Sequence, residues 1–341
     1  MKTIGFFNNK GGVGKTSLVY HVSWMLSRQG VRVIAADLDP QANLTSMFLP
    51  EERLESIWEQ KARPTLYGAI SPQFRGIGDV ISPEIERIAD NLGLLVGDLE
   101  LSSFEDQLST EWPKLNNGDE RSFRVMSAFA RVIGLAGTNF QAEVALVDVG
   151  PNLGALNRSA LLACDFVVVP LGADLFSLQG LRNMGPTLRS WRGRWEDTRP
   201  KNPDPTLILP EGKMEPVGYI VMRHSVLAGR PARAYGKWIS RMPAQYREFV
   251  LNKPSDEPDD ITNDPNCLAR LKDYRSLMPM AQEVRKPIFL LKPADGAFGG
   301  HQQAVSDCYA DFKQLAAKIM AHCGLTFGAQ ATLAINFGVA H

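Results

Sequence analysis

The chain has 341 residues, 44% of them hydrophobic and 22% charged, which is enough for one large α/β domain with a substantial core. Basic and acidic residues number 37 each, so the overall charge attracts neither nucleic acid nor an anionic membrane, and any such partner would need a local basic patch. The four cysteines are far apart and form no C-x-x-C pattern, which argues against zinc, an iron–sulfur cluster and a disulfide framework.

Short apolar, β-branched runs recur between helical patterns and predict parallel strands that are buried on both faces of a sheet. Apolar residues at helical spacing from Leu18 to Leu26 predict a helix that ends before Gly30, and a second such face runs from Tyr309 to Met320. With right-handed crossovers, these elements give a doubly wound, mostly parallel α/β sheet. The predicted strands are 3–8, 31–37, 92–97, 144–149, 165–170, 217–222 and 287–291.

Two stretches rich in proline and charge, 49–90 and 190–265, interrupt this alternation and are predicted to be surface insertions. We therefore expect a single domain over residues 1–322 and a C-terminal tail, 323–341, which has no Lys, Arg, Asp or Glu. The sequence leaves three interpretations of the tail open: an added strand, a segment that contacts a partner, or disorder. The N-terminus has no signal-peptide pattern and no uncharged apolar run reaches about 18 residues, so we expect a cytoplasmic protein.

The segment "NNKGGVGKTS", residues 8–17, follows the first predicted strand and opens the first predicted helix, which is the context of a phosphate-binding loop. In such a loop backbone N–H groups hold the phosphates, glycines allow their close approach, a lysine contacts the β and γ oxygens, and a hydroxyl binds Mg²⁺. The residues predicted to bind the nucleotide are Gly11, Gly12, Val13, Gly14, Lys15, Thr16 and Ser17, with Thr16 on the metal.

The loop departs from the usual G-x-x-x-x-G-K-[ST] pattern, because Asn9 stands where the first glycine is expected and the glycines directly follow Lys10. The form "KGGVGKT" resembles the deviant Walker A motif of the P-loop NTPases of the ParA/MinD superfamily, which includes plasmid and chromosome partition ATPases. In that family the extra lysine reaches across a dimer interface to the phosphates bound by the other subunit. The resemblance implies this role for Lys10; a lysine that is only exposed to solvent is the alternative.

The stretch "AADLDPQANLTS", residues 35–46, follows the second predicted strand and is similar to switch I of the same family. The resemblance implies that Asp39 positions the water that attacks ATP, and that Asp37 lies on the Mg²⁺ side. Asp39 would then act with Lys10 and Lys15 in catalysis. Because aspartates also cap helices and stabilise turns, such a local role for Asp37 or Asp39 is the alternative.

The stretch "VALVDVGPNLG", residues 144–154, is an apolar strand that ends in Asp148 and is similar to the family's Walker B and switch II segment. Gly150 and Asn152 stand where the family has a proline and a serine, so the local switch II geometry is expected to differ from that of the family. The resemblance implies that Asp148 contributes to the Mg²⁺ site; the alternative is an ordinary residue at a strand end. Weaker likenesses extend the match over residues 1–185 and 275–322.

A local basic patch is the feature that bears on DNA binding. From Arg223 to Arg247 there are six basic residues and no acidic one, and "LRSWRGR" upstream adds three arginines. Partition-type members of the family bind duplex DNA non-specifically through basic residues, and neutralising about four to eight phosphates makes such binding steeply salt-dependent. The alternative is a basic face paired with the acidic stretch 248–264. The predicted DNA-binding residues are Arg189, Arg192, Arg194, Arg223, Arg230, Arg233, Lys237 and Arg241.

The resemblance as a whole implies an ATPase that requires Mg²⁺, forms a homodimer with ATP, binds nucleoid or plasmid DNA and lets go after hydrolysis, with a ParB-like or other protein as activator. Membrane anchoring is not expected, because the tail has no cationic residue and MinD-like members end in a basic amphipathic helix. The alternative function is a ParA-like switch that positions a protein cargo or regulates an effector without DNA. An amidoligase of the related cobyrinate type would need a further substrate domain.

Overall fold

The computed structural model describes residues 1–224, 232–254, 260–274 and 276–326. Within these residues the centre of the fold is one eight-stranded sheet. Its strands are β1 Lys2–Phe6, β2 Val33–Asp37, β3 Glu86–Ala89, β4 Leu92–Leu95, β5 Val144–Asp148, β6 Phe166–Gly172, β7 Glu215–His224 and β8 Cys267–Lys272. The order is β3-β4-β2-β5-β1-β6-β7-β8, and every neighbouring pair is parallel except β3 and β4.

Helices cover both faces of this sheet, so the predicted doubly wound α/β fold is confirmed. The helices are α1 Lys15–Arg28, α2 Asn43–Phe48, α3 Glu51–Trp58, α4 Leu66–Phe74, α5 Glu105–Lys114, α6 Glu120–Met126, α7 Ala128–Phe140, α8 Ala155–Leu162, α9 Leu175–Thr198, α10 Ala232–Ile239, α11 Met242–Gln245, α12 Leu277–Glu283 and α13 Gly300–His322. One buried apolar cluster joins the sheet to α1, α2, α3, α12 and α13, and a second joins the other face to α4 through α9.

Six of the seven predicted strands are present, and the seventh is wrong. Residues Ile288–Leu290 form a 3-10 helix, and the N–H of Ile288 donates to Nε2 of the buried His21 (3.1 Å) instead of to a strand. Ile288 and Phe289 are nevertheless buried, so the apolar run predicted burial but not the backbone conformation. The two strands that the sequence did not reveal, β3 and β8, form the sheet edges; their sequences "ERIA" and "CLARLK" contain charges because edge strands face solvent.

The stretches 49–90 and 190–265 are not confined to the surface. The first contains α3, α4 and β3 and buries Ile57 and Ile70, while the second contains β7. The division into one domain, 1–322, and a tail stays a prediction, since residues 327–341 of the tail lie outside the described part of the chain. Within that part, no helix is both long and apolar enough to cross a membrane.

Strand register brings the three predicted motifs to one edge of the sheet. In the parallel pairs, Phe6 at the end of β1 and Asp37 at the end of β2 are both registered with Asp148 at the end of β5. The loops that follow β1, β2 and β5 therefore leave the sheet side by side. In open α/β sheets this carboxyl edge is where ligands bind.

Candidate functional site

The loop after β1 is shaped as an open cradle at the N-terminus of α1. Gly12 and Gly14 have φ values of +70° and +88°, in the left-handed region that favours glycine. Apart from the adjacent residues of the loop, no described atom lies within 4 Å of the position that a Cβ would take at Gly11 or Gly12, so the cradle has room for a ligand. No side chain caps α1 and its first turn has no acidic residue, which suits the binding of an anion to the first N–H groups.

Lys15 crosses the cradle from the first turn of α1. Its buried ammonium donates to the carbonyl oxygens of Asn8 (3.3 Å) and Lys10 (3.4 Å). Burial lowers the pKa of Lys15, while the charges of Asp148 and Asp39 act in the opposite direction. Because both hydrogen bonds are longer than the usual 2.9–3.0 Å or so, phosphate oxygens would be the stronger partners for this ammonium.

Asp37 and Asp148 are fully buried beside the loop, and three of their four carboxylate oxygens have no hydrogen-bond donor among the described residues. Within the described part of the chain, neither oxygen of Asp148 has a hydrogen-bond partner. Asp37 Oδ1 has none either, whereas Asp37 Oδ2 accepts from the N–H and the hydroxyl of Thr45, both at 2.8 Å. Burial raises the pKa of Asp37 to about 7 and raises that of Asp148 well above its ordinary value, with the charge of Asp37 adding to the rise at Asp148. A buried carboxylate without donors is costly unless a cation compensates it.

These residues fit a Mg²⁺ ion that arrives together with a nucleotide. The Thr16 hydroxyl lies close enough to Asp148 to lower the pKa of that carboxyl, but it does not form a hydrogen bond of normal geometry with it. In the described residues, no group of three or more His, Cys, Asp and Glu side chains is arranged to hold a metal by itself. Mg²⁺ is commonly bound by one or two carboxylates, water and substrate phosphates. Thr16, Asp37 and Asp148 therefore suit a shared metal site rather than a site made by protein alone.

We expect Asp148→Asn to stabilise the nucleotide-free protein by about 1–2 kcal/mol at pH 8, because it removes a buried carboxylate that has no donor. The same variant should lose most of the extra stabilisation that Mg²⁺ gives over ATP alone. Thermal unfolding with and without ATP and Mg²⁺ measures both effects. Asp90→Asn, in the exposed turn between β3 and β4, is the matched control and should change stability by less than about 0.5 kcal/mol. Unchanged stability of Asp148→Asn without ligands would contradict this account.

Asp39 lies in the turn after β2 and faces the loop after β5. Its Oδ1 accepts from the N–H of Gln41 (3.0 Å), and its carbonyl accepts from the N–H of Ala42 (2.9 Å), which has a φ of +52°. The position that a Cβ of Gly150 would take is 3.5 Å from Asp39 Oδ1. The two predicted switch segments therefore lie side by side at Asp39 and Gly150.

Lys10 points out of the cradle that its own loop forms. Its ammonium is paired with the carboxylate of Asp174, which also caps α9 by accepting from the N–H of Ser177 (2.9 Å), and it lies 5.9 Å from the ring centroid of the exposed Phe176. Partial burial acts to raise the pKa of Asp174, but Lys10 and Ser177 outweigh it and hold the pKa below its ordinary value.

Three supporting residues were not predicted from the sequence. Asp174 holds Lys10, and the N-cap pattern Asp-x-x-Ser after β6 was the available signal. Asn8 accepts from the N–H of Lys10 (2.9 Å) and donates to the carbonyl of Pro170 (2.6 Å), which fixes the loop on β6. Thr45 joins Asp37 to the N–H of Gly97 (2.8 Å), and no local pattern singles it out.

The predicted DNA-binding residues do not share one environment. The arginines of α9 make internal contacts: Arg189 donates to the carbonyls of Phe249 and Val250, Arg192 donates to that of Met214, and the Arg194 guanidinium lies over the Trp112 ring. In contrast, Lys237 and Arg241 are exposed, and their cationic groups lie 5.1 and 5.6 Å from the ring centroid of Trp238. Arg223 and Arg233 lie in β7 and α10, and Arg230 lies outside the described residues.

Residues 1–198 match the family model AAA_31, which is described as an AAA domain. Among curated proteins, the chromosome partitioning protein ParA of Caulobacter vibrioides is 28% identical over 193 residues, which cover 57% of this chain and 64% of that protein. The match thus spans less than two thirds of the length of this relative.

Two solved structures resemble the whole chain in fold. A protein of Corynebacterium diphtheriae gives a TM-score of 0.68 at 23% identity and covers 94% of this chain and 98% of its own. A plasmid partition protein, described as putative, from Borrelia burgdorferi bound to AMPPNP gives 0.56 at 17% identity, covering 92% and 97%. The family match, together with the loop geometry, identifies the family of the chain. The chain belongs to the AAA domain family of this model and is a P-loop protein of the ParA/MinD ATPase type.

Proposed function

We propose that the chain is a Mg²⁺-dependent ATPase switch that forms a homodimer around bound ATP, binds DNA non-specifically and releases it after hydrolysis. One observation carries the proposal: a glycine-rich cradle with a buried lysine lies beside two buried carboxylates, and three of their four oxygens have no donor among the described residues. The name of the Caulobacter relative supports chromosome or plasmid partition, or related positioning, as the cellular role. A cytoplasmic, nucleoid-associated location and activation by a ParB-like or other partner belong to the same proposal.

In this mechanism the chain mainly positions and stabilises charge. The amides of the loop and the Lys15 ammonium bind the β and γ phosphates, and Thr16, Asp37 and Asp148 hold the metal side. When bound, Mg²⁺ would neutralise the negative charge that develops on the phosphate oxygens. Asp39, in the turn that faces Gly150, orients the attacking water; this role needs reach and orientation more than an altered proton affinity.

Lys10 is the proposed contact between the protomers. Within a single chain its ammonium is held by Asp174 at the start of α9, outside the cradle that contains Lys15. An outward lysine at the lip of the loop can reach the phosphates of a second protomer, where several negative charges would compete with the one charge of Asp174. Dimerisation with ATP would thus exchange one ion pair for a stronger one.

A second candidate function rests on the basic residues. Because Arg189, Arg192 and Arg194 bind carbonyls or pack on an aromatic ring, they contribute less to a free cationic surface than the sequence predicts. This observation favours a ParA-like switch that positions a protein cargo or regulates an effector without DNA. Retention on DNA separates the two functions.

We expect ATP-dependent retention on duplex DNA that weakens steeply with salt. The double substitution Lys237→Ala and Arg241→Ala should lower the slope of log affinity against log salt by about two, because each removed cation leaves one phosphate without its neutralising charge. Lys61→Ala, which removes an exposed lysine after α3, is the matched control and should leave the slope unchanged. If ATP produces no salt-sensitive retention of the unmodified chain, the second candidate function is favoured instead.

A further inference from the structure

A groove of about 960 Å³ lies at the amino edge of the sheet, the edge opposite the phosphate loop. Thr3 at the start of β1 and Asp165 just before β6 contribute to its lining. Residues of α7 and the segment 206–212 form its walls. Among the residues that the structure describes, none of those assigned above to nucleotide, metal or DNA binding lines this groove.

Exposed apolar side chains gather at the groove. Met1, Leu135 and Ile208 line it, and Ile208 is 83% exposed. Two more exposed isoleucines, Ile77 and Ile81, flank the lining residues Asp79 and Val80. Soluble proteins rarely leave large apolar side chains clustered in water unless another segment covers them.

The charged residues that line the groove already have partners. Asp165 accepts from the N–H of Thr3 (2.9 Å), and Glu211 is paired with Lys213. Asp79 accepts from Arg124 (3.1 Å) and from Arg131 (2.6 Å), and Arg124 also donates to Asp204 (2.6 Å). A charged ligand would have to break these pairs. The groove therefore suits an apolar, uncharged occupant.

The described chain ends near the same edge of the sheet. Helix α13 ends at His322, and the next residue, Cys323, is buried. Burial raises the pKa of the Cys323 thiol, and the charges of Asp165, Glu215 and Lys2 have smaller effects on it, so Cys323 lies near these three residues. Asp165 is also a lining residue of the groove. Since an extended chain covers about 3.3 Å per residue, the 15 residues after Thr326 can reach about 50 Å. This reach exceeds the radius of gyration of about 20 Å that is expected for a compact chain of this length.

The sequence of these residues matches the groove in chemistry. Residues 327–341 contain no Lys, Arg, Asp or Glu. The large apolar residues Leu333, Ile335, Phe337 and Val339 alternate with the smaller residues Ala334, Asn336 and Gly338. This period of two puts four large apolar side chains on one face of an extended segment.

We propose that residues 327–341 bind in the groove of their own chain as an extended segment, with Leu333, Ile335, Phe337 and Val339 facing the exposed apolar side chains of the groove. Attachment through a short connection gives an effective concentration of the order of millimolar, so that even weak contacts are sufficient. The inference concerns the edge of the sheet opposite the ATP site and does not depend on the proposed function.

Labelling of one introduced thiol tests the proposal. The native cysteines are buried, so Leu135→Cys in the full chain supplies a single accessible thiol at the groove. We expect its reaction with a maleimide to become roughly tenfold faster when Ile335→Asp and Phe337→Asp are added, because the acidic side chains keep the tail out of the apolar groove. Asn336→Asp, which adds charge on the opposite face of the segment, should have a much smaller effect.

A second labelling site controls for changes in overall folding. Leu99→Cys introduces a thiol at an exposed position after β4, at the carboxyl edge of the sheet, and its labelling rate should not respond to the tail variants. Equal rates at Leu135→Cys with and without the acidic tail substitutions would overturn the proposal. Protection of Leu135→Cys that disappears on dilution would also overturn it, because the covering tail would then come from a second copy.

Discussion

Lys10→Ala is expected to abolish dimerisation with ATP while leaving the affinity of the monomer for nucleotide within about tenfold, which is roughly 1.4 kcal/mol. The expected asymmetry follows from the two lysines of the loop. Lys15 crosses the cradle and is buried there, whereas the Lys10 ammonium is bound to Asp174 outside it. Removal of Lys10 therefore takes nothing from the phosphate contacts of its own chain, but removes the charge offered to a second protomer.

Two measurements on the same protein separate these effects. Sedimentation with a non-hydrolysable ATP analogue reports the dimer, and calorimetric titration at low protein concentration reports the affinity of the monomer. Asp174→Asn should retain the dimer, because it frees Lys10 without removing it. Lys2→Ala is the matched control: Lys2 also lies over a phenylalanine ring, 5.8 Å from the centroid of Phe166, but at the amino edge of the sheet. Equal loss of dimer and nucleotide affinity in Lys10→Ala, or a normal dimer, would contradict the role.

Continuous apolar runs predicted the central strands because both faces of these strands are buried, and that burial leaves a clear signal in sequence. The same rule fails in two physical situations. The edge strands β3 and β8 face solvent and contain charges, so no apolar run marks them. The run 287–291 packs its apolar side chains into the core without joining the sheet. The N–H of Ile288 donates to His21, which is far away in the sequence.

The candidate site shows a similar division. Each of the three motifs was predicted to follow a strand. Because parallel strands end at a common edge, the loops after β1, β2 and β5 meet there, and strand register brings Asp37 beside Asp148. The partners of these motifs could not be predicted in this way. Asp174, for example, lies 164 residues from Lys10 in the sequence, and only folding brings the two together. The number of basic residues in a segment likewise could not reveal that Arg189 and Arg192 donate to backbone carbonyls.

Asp39→Asn should slow ATP hydrolysis by about 10²- to 10⁴-fold while ATP binding and dimerisation persist. Asparagine has nearly the same size and keeps an oxygen for the N–H of Gln41, so the turn should be preserved while the negative charge that orients and polarises water is lost. Phosphate release in a single turnover, measured beside nucleotide affinity, checks both parts.

Asp37→Asn is the informative comparison for this rate, because Asp37 lies on the metal side of the site. Thr45 donates to one oxygen of Asp37, and the other oxygen has no donor among the described residues. Loss of the Asp37 negative charge should therefore raise the Mg²⁺ concentration required for half-maximal activity. Asp39→Asn should leave that requirement unchanged, since the proposed contact of Asp39 is with water. Hydrolysis by Asp39→Asn within about tenfold of the unmodified rate would exclude this carboxylate as the group that orients the water. A large rise in its Mg²⁺ requirement would instead assign Asp39 to the metal.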